Sequence, residues 1–406
     1  MDIAGIVCEF DPFHNGHAYL LRRVREQGAS GIVCVMSGDF VQRGGPAVLD
    51  KFRRAEAAVR CGADLVLELP AVYSVNSADW FAKGAVRILK GLGCVDTIAF
   101  GSECGESGKL LDIACATAFE PPEFSDALKA CLADGMSYPA AYRSALEQVF
   151  PAADVSVLDG PNDILAVCYL REIVRQGSDI VPFAVMREGA AHGSSDPEGE
   201  IASASFIRGE LQSGSGRWKN CVPEPVRQLL EEADLSPEAL SGRKDRLFAV
   251  IRHALLTGGS EALEGLPEIS EGLENRILSA VRTAEDLDGL ISGIVTGRYT
   301  ASRAMRVLTQ LILGLSKDLV SEADQTEAAY ARVLAFNNRG AELLKDAKEK
   351  GALPVYSNIN KNVPTDAPER KLLDVDISSG DTYSIICGRA IAEYSDKVQI
   401  PNMLKI

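Results

Sequence analysis

Ile3-Ala4-Gly5-Ile6-Val7-Cys8 runs straight into Glu9-Phe10-Asp11-Pro12-Phe13-His14-Asn15-Gly16-His17. The short apolar run reads as a buried strand, and Pro12, with no N–H to offer a ladder, stops it. A helix is predicted to follow over residues 17–27, beginning near Gly16. His14 and His17 then stand three apart around its first turn, on one side. The free N–H groups of that turn and the positive end of the helix dipole point the same way, which makes an anion site. Gly16 has no side chain to keep a ligand off the backbone. Two imidazoles on a helix N-terminus suit a triphosphate, with donors aimed at the charge that develops when an α-phosphate is attacked and pyrophosphate leaves. One such donor is worth ~2.7–4 kcal/mol in a transition state.

The alternation of strand and helix continues through the first half of the chain. Residues 3–8, 31–36, 64–69, 95–100, 154–158 and 180–185 read as strands. Residues 17–27, 50–61, 77–92, 107–118, 124–132, 139–149 and 162–175 read as helices. This pattern predicts an α/β fold with a parallel sheet covered on both faces, whose ligands sit beyond the carboxyl ends of the strands. Past residue 200 the segments 224–233, 235–257, 271–282, 284–296, 300–314 and 322–350 read as helices, and β-like runs return at 353–357 and 382–387. The Gly/Ser-rich stretch Gln212–Gly216 marks the break. The expectation is an α/β domain over 1–211 and a mainly helical domain over 217–406.

Composition bounds the problem further. The 406 residues are 46% hydrophobic and 24% charged, which suits more than one globular domain and excludes disorder for the bulk of the chain. No apolar run approaches the ~18 residues of a membrane span, so no membrane partner is expected. Met1–Val7 carries no basic leader, which favours a cytoplasmic location. The net charge of −15, from 42 Lys and Arg against 57 Asp and Glu, argues against a general nucleic-acid coat and confines any RNA contact to a local patch. The ten cysteines are scattered singly and read as small buried hydrophobes in a reducing compartment. With four histidines and no CxxC pair, no metal site built by the protein is expected. GxGxxG, Walker A, HExxH and GxSxG patterns are missing, so dinucleotide, P-loop, zinc-protease and α/β-hydrolase readings lose support.

A second motif, Ile201-Ala202-Ser203-Ala204-Ser205-Phe206-Ile207-Arg208, opens a helix. Its amides, two hydroxyls and Arg208 suit the leaving phosphates, although Ser-x-Ser-x-x-Arg alone is also an ordinary helix cap. Together, His-x-Gly-His and this element resemble the two signatures of the nucleotidyltransferase superfamily, which includes class I aminoacyl-tRNA synthetases and small adenylyltransferases. The resemblance narrows on Glu9–His17, Met36–Gly44, Leu49–Glu56, Asp64–Pro70, Phe100–Glu103, Gly160–Leu165 and Phe336-Asn337. These blocks look like the bacterial tRNA(Met) cytidine acetate ligase family, and the match is densest in residues 1–210. It implies a Rossmann-like nucleotidyltransferase domain that activates acetate with ATP to acetyl-adenylate. The acetyl group then goes to N4 of the wobble cytidine of elongator tRNA(Met), giving N4-acetylcytidine. His14, His17 and Arg208 would be catalytic. The ATP site would take in Val7, Cys8, Glu9, Phe10, Phe13, Asn15, Gly16, Leu20, Gly101, Asn162, Arg187, Ser203 and Ser205, with Mg²⁺ carried by the nucleotide. Two positions depart from the family: Asp11 and Asp163 stand where asparagine is commoner. Asp11, before a proline, is read as pointing outward.

Other residues carry two readings each. Gln42, Arg43, Lys51 and Arg54 follow the second strand and suit a phosphate or the acetate carboxylate, or else are solvated surface charge. Arg187, closing the run Val181–Met186, suits a phosphate or adenine contact. His192, in the loop Glu188–Ser195, is a candidate lid residue, while His253, Trp80 and Trp218 read as structural. The stretch Thr296–Arg306 holds Arg298, Arg303, Arg306 and Tyr299 without an acid. It suits an RNA backbone and an unstacked base, or is simply a polar helix face. Two rival functions stay open at this point: a small-molecule adenylyltransferase of the same superfamily, and a non-catalytic nucleotide-binding scaffold. The long helical half speaks against the first, and the presence of both motifs against the second.

Overall fold

β1 (Ile3–Cys8) pairs in parallel with β2 (Gly31–Ser37) on one side and β4 (Thr97–Ser102) on the other. β3 (Leu65–Leu69) continues beyond β2, and β5 (Val181–Met186) beyond β4, again in parallel. The order β5-β4-β1-β2-β3 means that the chain walks one way from β1 and then returns across it to β4. That reversal opens a crevice outside the carboxyl ends of β1 and β4, where sheets of this kind bind ligands. The structure is a computed structural model. It describes all residues except 1, 137, 189–199, 271, 328, 360–362, 364–368 and 406, so His192 lies outside the described residues.

Strand side chains alternate between faces, and here both faces are covered. Ala4, Ile6, Cys8, Ile32, Cys34 and Met36 pack toward Leu21 and Val24 of α1 (Asn15–Glu26) and Ala55, Ala58 and Val59 of α2 (Lys51–Arg60). Ile3, Val33, Val35, Leu65 and Leu67 face the other way, toward the helices Ala78–Gly91 and Pro161–Arg175. This second core runs on without interruption into the later helices, through Leu247, Ile251, Leu290, Val307 and Leu308.

Three segments differ from the sequence reading. β6 (Ala331–Phe336) lies antiparallel on β3 and carries β7 (Val355–Tyr356) and β8 (Asn402–Met403) in parallel, so the helix expected over 322–350 is in fact helix Lys317–Gln325, a strand, and helix Asn338–Lys350. Ala-Arg-Val-Leu-Ala-Phe is a six-residue, mostly apolar run, too short for its period to separate strand from helix. Residues 154–158, expected as a strand, form a 3₁₀ turn, Val155–Asp159, begun by Asp154 accepting the Ser156 N–H. Residues 382–387 end the helix Arg370–Cys387, where burial overrides the β-branched composition. The sheet and both of its cores are therefore shared by residues before 211 and after 217. Among the described residues no helix is long and apolar enough to cross a membrane.

Candidate active site

His14 is the N-cap of α1, with extended backbone. Its Nδ1 accepts the Gly16 N–H at 3.1 Å, and His17 Nδ1 accepts the His14 N–H at 3.2 Å. This is a capping box in which two imidazoles replace the usual hydroxyl and carboxylate. With each Nδ1 an acceptor, each neutral ring carries its proton on Nε2, as a donor. The rings stack with centroids 3.7 Å apart, and Phe10 and Phe13 hold His17 from 4.9 and 5.4 Å. A Cβ on Gly16 would stand 2.9 Å from His14 Cε1, so the glycine makes room for the imidazole itself. Burial, then the charges of Arg187 and Arg208, lower the His14 pKa to about 3. Burial, His14 and Arg187 hold His17 well below the ordinary value. Both rings are thus neutral donors at pH 7. In NMR spectra their imidazole signals stay constant between pH 8 and 5, with ¹⁵N shifts of the Nε2–H tautomer; a midpoint near ~6.5, the free value, would overturn this assignment.

The second motif faces the first. Ser203 caps helix Ala204–Gln212, its hydroxyl accepting the Phe206 N–H at 3.1 Å. Arg208 donates through Nη1 to the Asp11 carbonyl at 2.5 Å, lies 3.4 Å from Asp11 Oδ2, and donates through Nη2 to the Ser205 hydroxyl at 3.2 Å. Asp11 does not point outward: it is 6% exposed, and its Oδ1 accepts the Val48 N–H at 2.7 Å. A carboxylate here gives Arg208 a counter-charge that asparagine would lack. Asp163, fully buried, turns away from the crevice and accepts from the Ser102 hydroxyl and from the Glu103 and Cys104 N–H groups, the latter two at 3.1 and 2.9 Å. Its charge is spent on the turn after β4.

One cavity of about 690 Å³ gathers Val7, Cys8, Glu9, Phe10, His14, His17, Gln42, Asn162, Arg187, Ser203, Ser205 and Arg208. A smaller pocket of about 130 Å³ shares His14, His17, Asn162 and Arg187 with it and adds Gly16, Leu20 and Gly101. Glu9 accepts the Gln42 N–H at 2.5 Å, and burial raises its pKa. Arg187 anchors its own N–H on the Ser102 carbonyl at 2.9 Å and brings Nε to 4.0 Å from Glu103, whose carboxylate also takes the Asn162 side chain. The cavity wall carries five basic side chains (Arg43, Arg187, Arg208, Arg243 and Lys244) against two acids, Glu9 and Asp11. That balance is the reverse of the chain as a whole.

Several expected residues sit elsewhere. Phe13 is buried behind His17, and Asn15 donates to the Glu200 and Asn220 carbonyls at 2.9 Å each, so both position the motif without lining either space. Lys51 and Arg54 are each 1% exposed. Lys51 Nζ is enclosed by Glu68, Asp396 and Asp39, while Arg54 is taken up by the carbonyls of Glu9, Ser37, Gly38 and Leu49. The expected phosphate or acetate role is withdrawn for both. Arg306 makes a two-pronged pair with Glu268 at 2.6 and 2.7 Å, Arg303 donates to the Glu268 carbonyl and Ser270, and Tyr299 is buried. The stretch thus lacks an aromatic platform, and Arg306 is committed to an acid brought from another segment. Arg298 remains exposed. The reading from sequence missed Arg243 and Lys244. Leu240 and Leu247 flank them at helical spacing, and that mixture of cations with an apolar face was the available signal.

A parallel sheet that reverses at β1, two neutral histidines on the first helix, and a Ser/Arg grip facing them across one crevice define a nucleotidyltransferase. Residues 1–397 match the family model described as HIGH Nucleotidyl Transferase. The chain is 34% identical over 410 residues to a tRNA(Met) cytidine acetate ligase of Clostridium novyi, covering 100% of both, and 37% identical over 388 residues to that of Caldanaerobacter subterraneus, covering 95% of both. Among solved structures, Thermotoga maritima TmcAL without ligand superposes with a TM-score of 0.91 and TmcAL bound with alpha-thio ATP with 0.89, each 30% identical over 100% of both chains. The chain belongs to the HIGH nucleotidyl transferase family and, within it, to the tRNA(Met) cytidine acetate ligases.

Proposed function

We propose that this chain activates acetate with ATP and acetylates N4 of the wobble cytidine of elongator tRNA(Met) in the cytoplasm. The observation that carries the chemistry is the pair of Nδ1-anchored histidines in the same cavity as Arg187 and Arg208; the relatives' names supply the acceptor. We assign the adenosine end of ATP to the smaller pocket, which shares His14 and Arg187 with the larger cavity and is lined by Gly16 and Gly101. His14 and His17 donate to the α-phosphate, and Ser203, Ser205 and Arg208 hold the departing phosphates. An acetate oxygen attacks the α-phosphorus, the bond to the β-phosphate oxygen breaks, and pyrophosphate leaves. N4 of the cytidine then attacks the acetyl carbon, the bond to the AMP oxygen breaks, and the proton shed by N4 passes to solvent. The mixed anhydride survives only if water is kept from it until the RNA arrives. Among the described residues no group of three His, Cys, Asp or Glu side chains is placed to hold a metal. Mg²⁺ is proposed as an ion carried by the phosphates of the nucleotide, whose charge it screens.

We assign activation to residues 1–211 and RNA holding to 217–406, with Arg298 as one exposed phosphate contact; tRNA affinity then falls steeply with added salt. The test is incubation with ATP, labelled acetate and bulk tRNA, followed by mass spectrometry of the nucleosides. N4-acetylcytidine that disappears with His17→Ala supports the reading. AMP transfer to a small metabolite with no modified tRNA replaces it with the adenylyltransferase, and a lack of ATP turnover replaces it with the scaffold.

A further inference from the structure

Adenosine in the smaller pocket and phosphates on the two motifs leave one wall of the larger cavity without a task. It is formed by loop 41–48 on one side and by Leu240, Arg243, Lys244, Leu247, Leu287 and Met305 of the later helices on the other. The wall is rigid. Arg243 holds the Val48 and Asp234 carbonyls at 2.8 and 3.0 Å, Tyr383 donates to the Ala47 carbonyl at 2.9 Å, and the Thr309 hydroxyl donates to the Gly44 carbonyl. Gly44, at φ 94°, lies so close to the neighbouring helix that a Cβ would stand 2.5 Å from Arg306 N. These contacts set the spacing between the loop and the helices, and the gap between them is present without a ligand.

We propose that this gap is the port through which a splayed pyrimidine nucleotide of an RNA loop reaches the acyl-adenylate, a reading that rests on the ligase function above. Its chemistry fits that occupant. The floor is aliphatic, the Arg243 guanidinium is held as a fixed plane on which a base can stack, and three of the five cavity cations stand on this side. In a chain of net charge −15, such a local excess attracts an RNA backbone while the remaining surface repels it. Lys244 is at the rim, its side chain 43% exposed and paired with Asp288, which is 73% exposed. A phosphate flanking the inserted base displaces that partner without opening a buried charge.

The experiment compares Lys244→Glu and Lys244→Arg with the wild-type full chain in two assays, acetate-dependent ATP–pyrophosphate exchange and acetyl transfer to unmodified tRNA(Met). For Lys244→Glu the KM for tRNA rises several-fold, and the slope of log affinity against log salt falls by about one. Exchange stays within about twofold, and Lys244→Arg restores transfer. Unchanged transfer and slope overturn the port while leaving the ligase reading intact, as does a parallel fall in exchange. A wild-type chain that catalyses no acetate-dependent exchange overturns the ligase reading and the port together.

Discussion

His17→Ala lowers the rate of acetate-dependent ATP–pyrophosphate exchange by about 10²–10³-fold, equivalent to ~2.7–4 kcal/mol of transition-state stabilisation. The magnitude follows from the tautomer. His17 Nδ1 is occupied by the His14 N–H, so the group presented to a ligand is an uncharged Nε2–H. An uncharged donor binds the ground-state triphosphate modestly and strengthens as negative charge gathers on the oxygens of the attacked α-phosphate, so the loss falls on kcat more than on the KM for ATP. His14→Ala costs a similar factor. The double variant is barely slower than either single one, because the stacked rings act as a unit. If the histidines served only as helix caps, each single variant would lose about 1 kcal/mol of stability and keep its rate; exchange within tenfold of wild type would establish that. The rate itself shows no histidine limb between pH 6 and 8, since both rings are already neutral. Stability does respond. The folded pKa of His14, about 3, lies below the unfolded 6.5, so the unfolded chain takes up the proton first. Stability from this residue is complete above pH 6.5 and is lost progressively as pH drops from there toward 3. Urea titrations of the wild type and His14→Asn at pH 7 and pH 5 read the difference.

The strand–turn–helix at residues 3–26 was legible because three local signals agree there: an apolar run, a proline stop and a capping position. The same holds for the Ser203–Arg208 element, whose cap is local. What the sequence hides is the environment of a charge. Lys51, Arg54 and Arg306 look like any surface cation, and only the fold reveals that Glu68 with Asp396, four backbone carbonyls, and Glu268 respectively enclose them. β6 was hidden for a related reason. It is a strand because β3 offers it an edge, and that edge belongs to a segment more than two hundred and fifty residues away. Asp11 carries both lessons: its proline neighbour suggested exposure, whereas the Val48 N–H and Arg208 draw it inward.

Lys51→Met destabilises the protein by about 3–5 kcal/mol, a large share of the ~5–15 kcal/mol that holds a typical domain folded. Lys51 Nζ lies 2.7 Å from Glu68, 2.6 Å from Asp396 and 3.7 Å from Asp39, and Arg332 Nη1 lies 2.9 Å from Glu68 and 2.7 Å from Asp396. Two cations therefore face three acids, all at most 4% exposed, where α2, β3, β6 and the segment around Asp396 meet. Methionine fills a similar volume but leaves a carboxylate excess that neither water nor a new donor reaches. Burial and Arg332 disfavour the Lys51 ammonium, yet Asp396, Glu68 and Asp39 outweigh them and hold its pKa above the ordinary value, so the charge is present at neutral pH. The pH dependence separates this role from a ligand-binding one. Burial raises Asp39 to about 6, against the pull of Lys51. The folded chain thus binds this proton more readily than the unfolded one, and stability from Asp39 falls as pH rises from ~4 through 6. Removing Lys51 lifts Asp39 further, so more of the excess charge is neutralised in acid. The deficit of Lys51→Met is largest at pH 7.5 and shrinks toward pH 5, read as the gap between the two unfolding midpoints at each pH. A variant with wild-type midpoints and a raised KM for acetate or ATP would return Lys51 to the binding site.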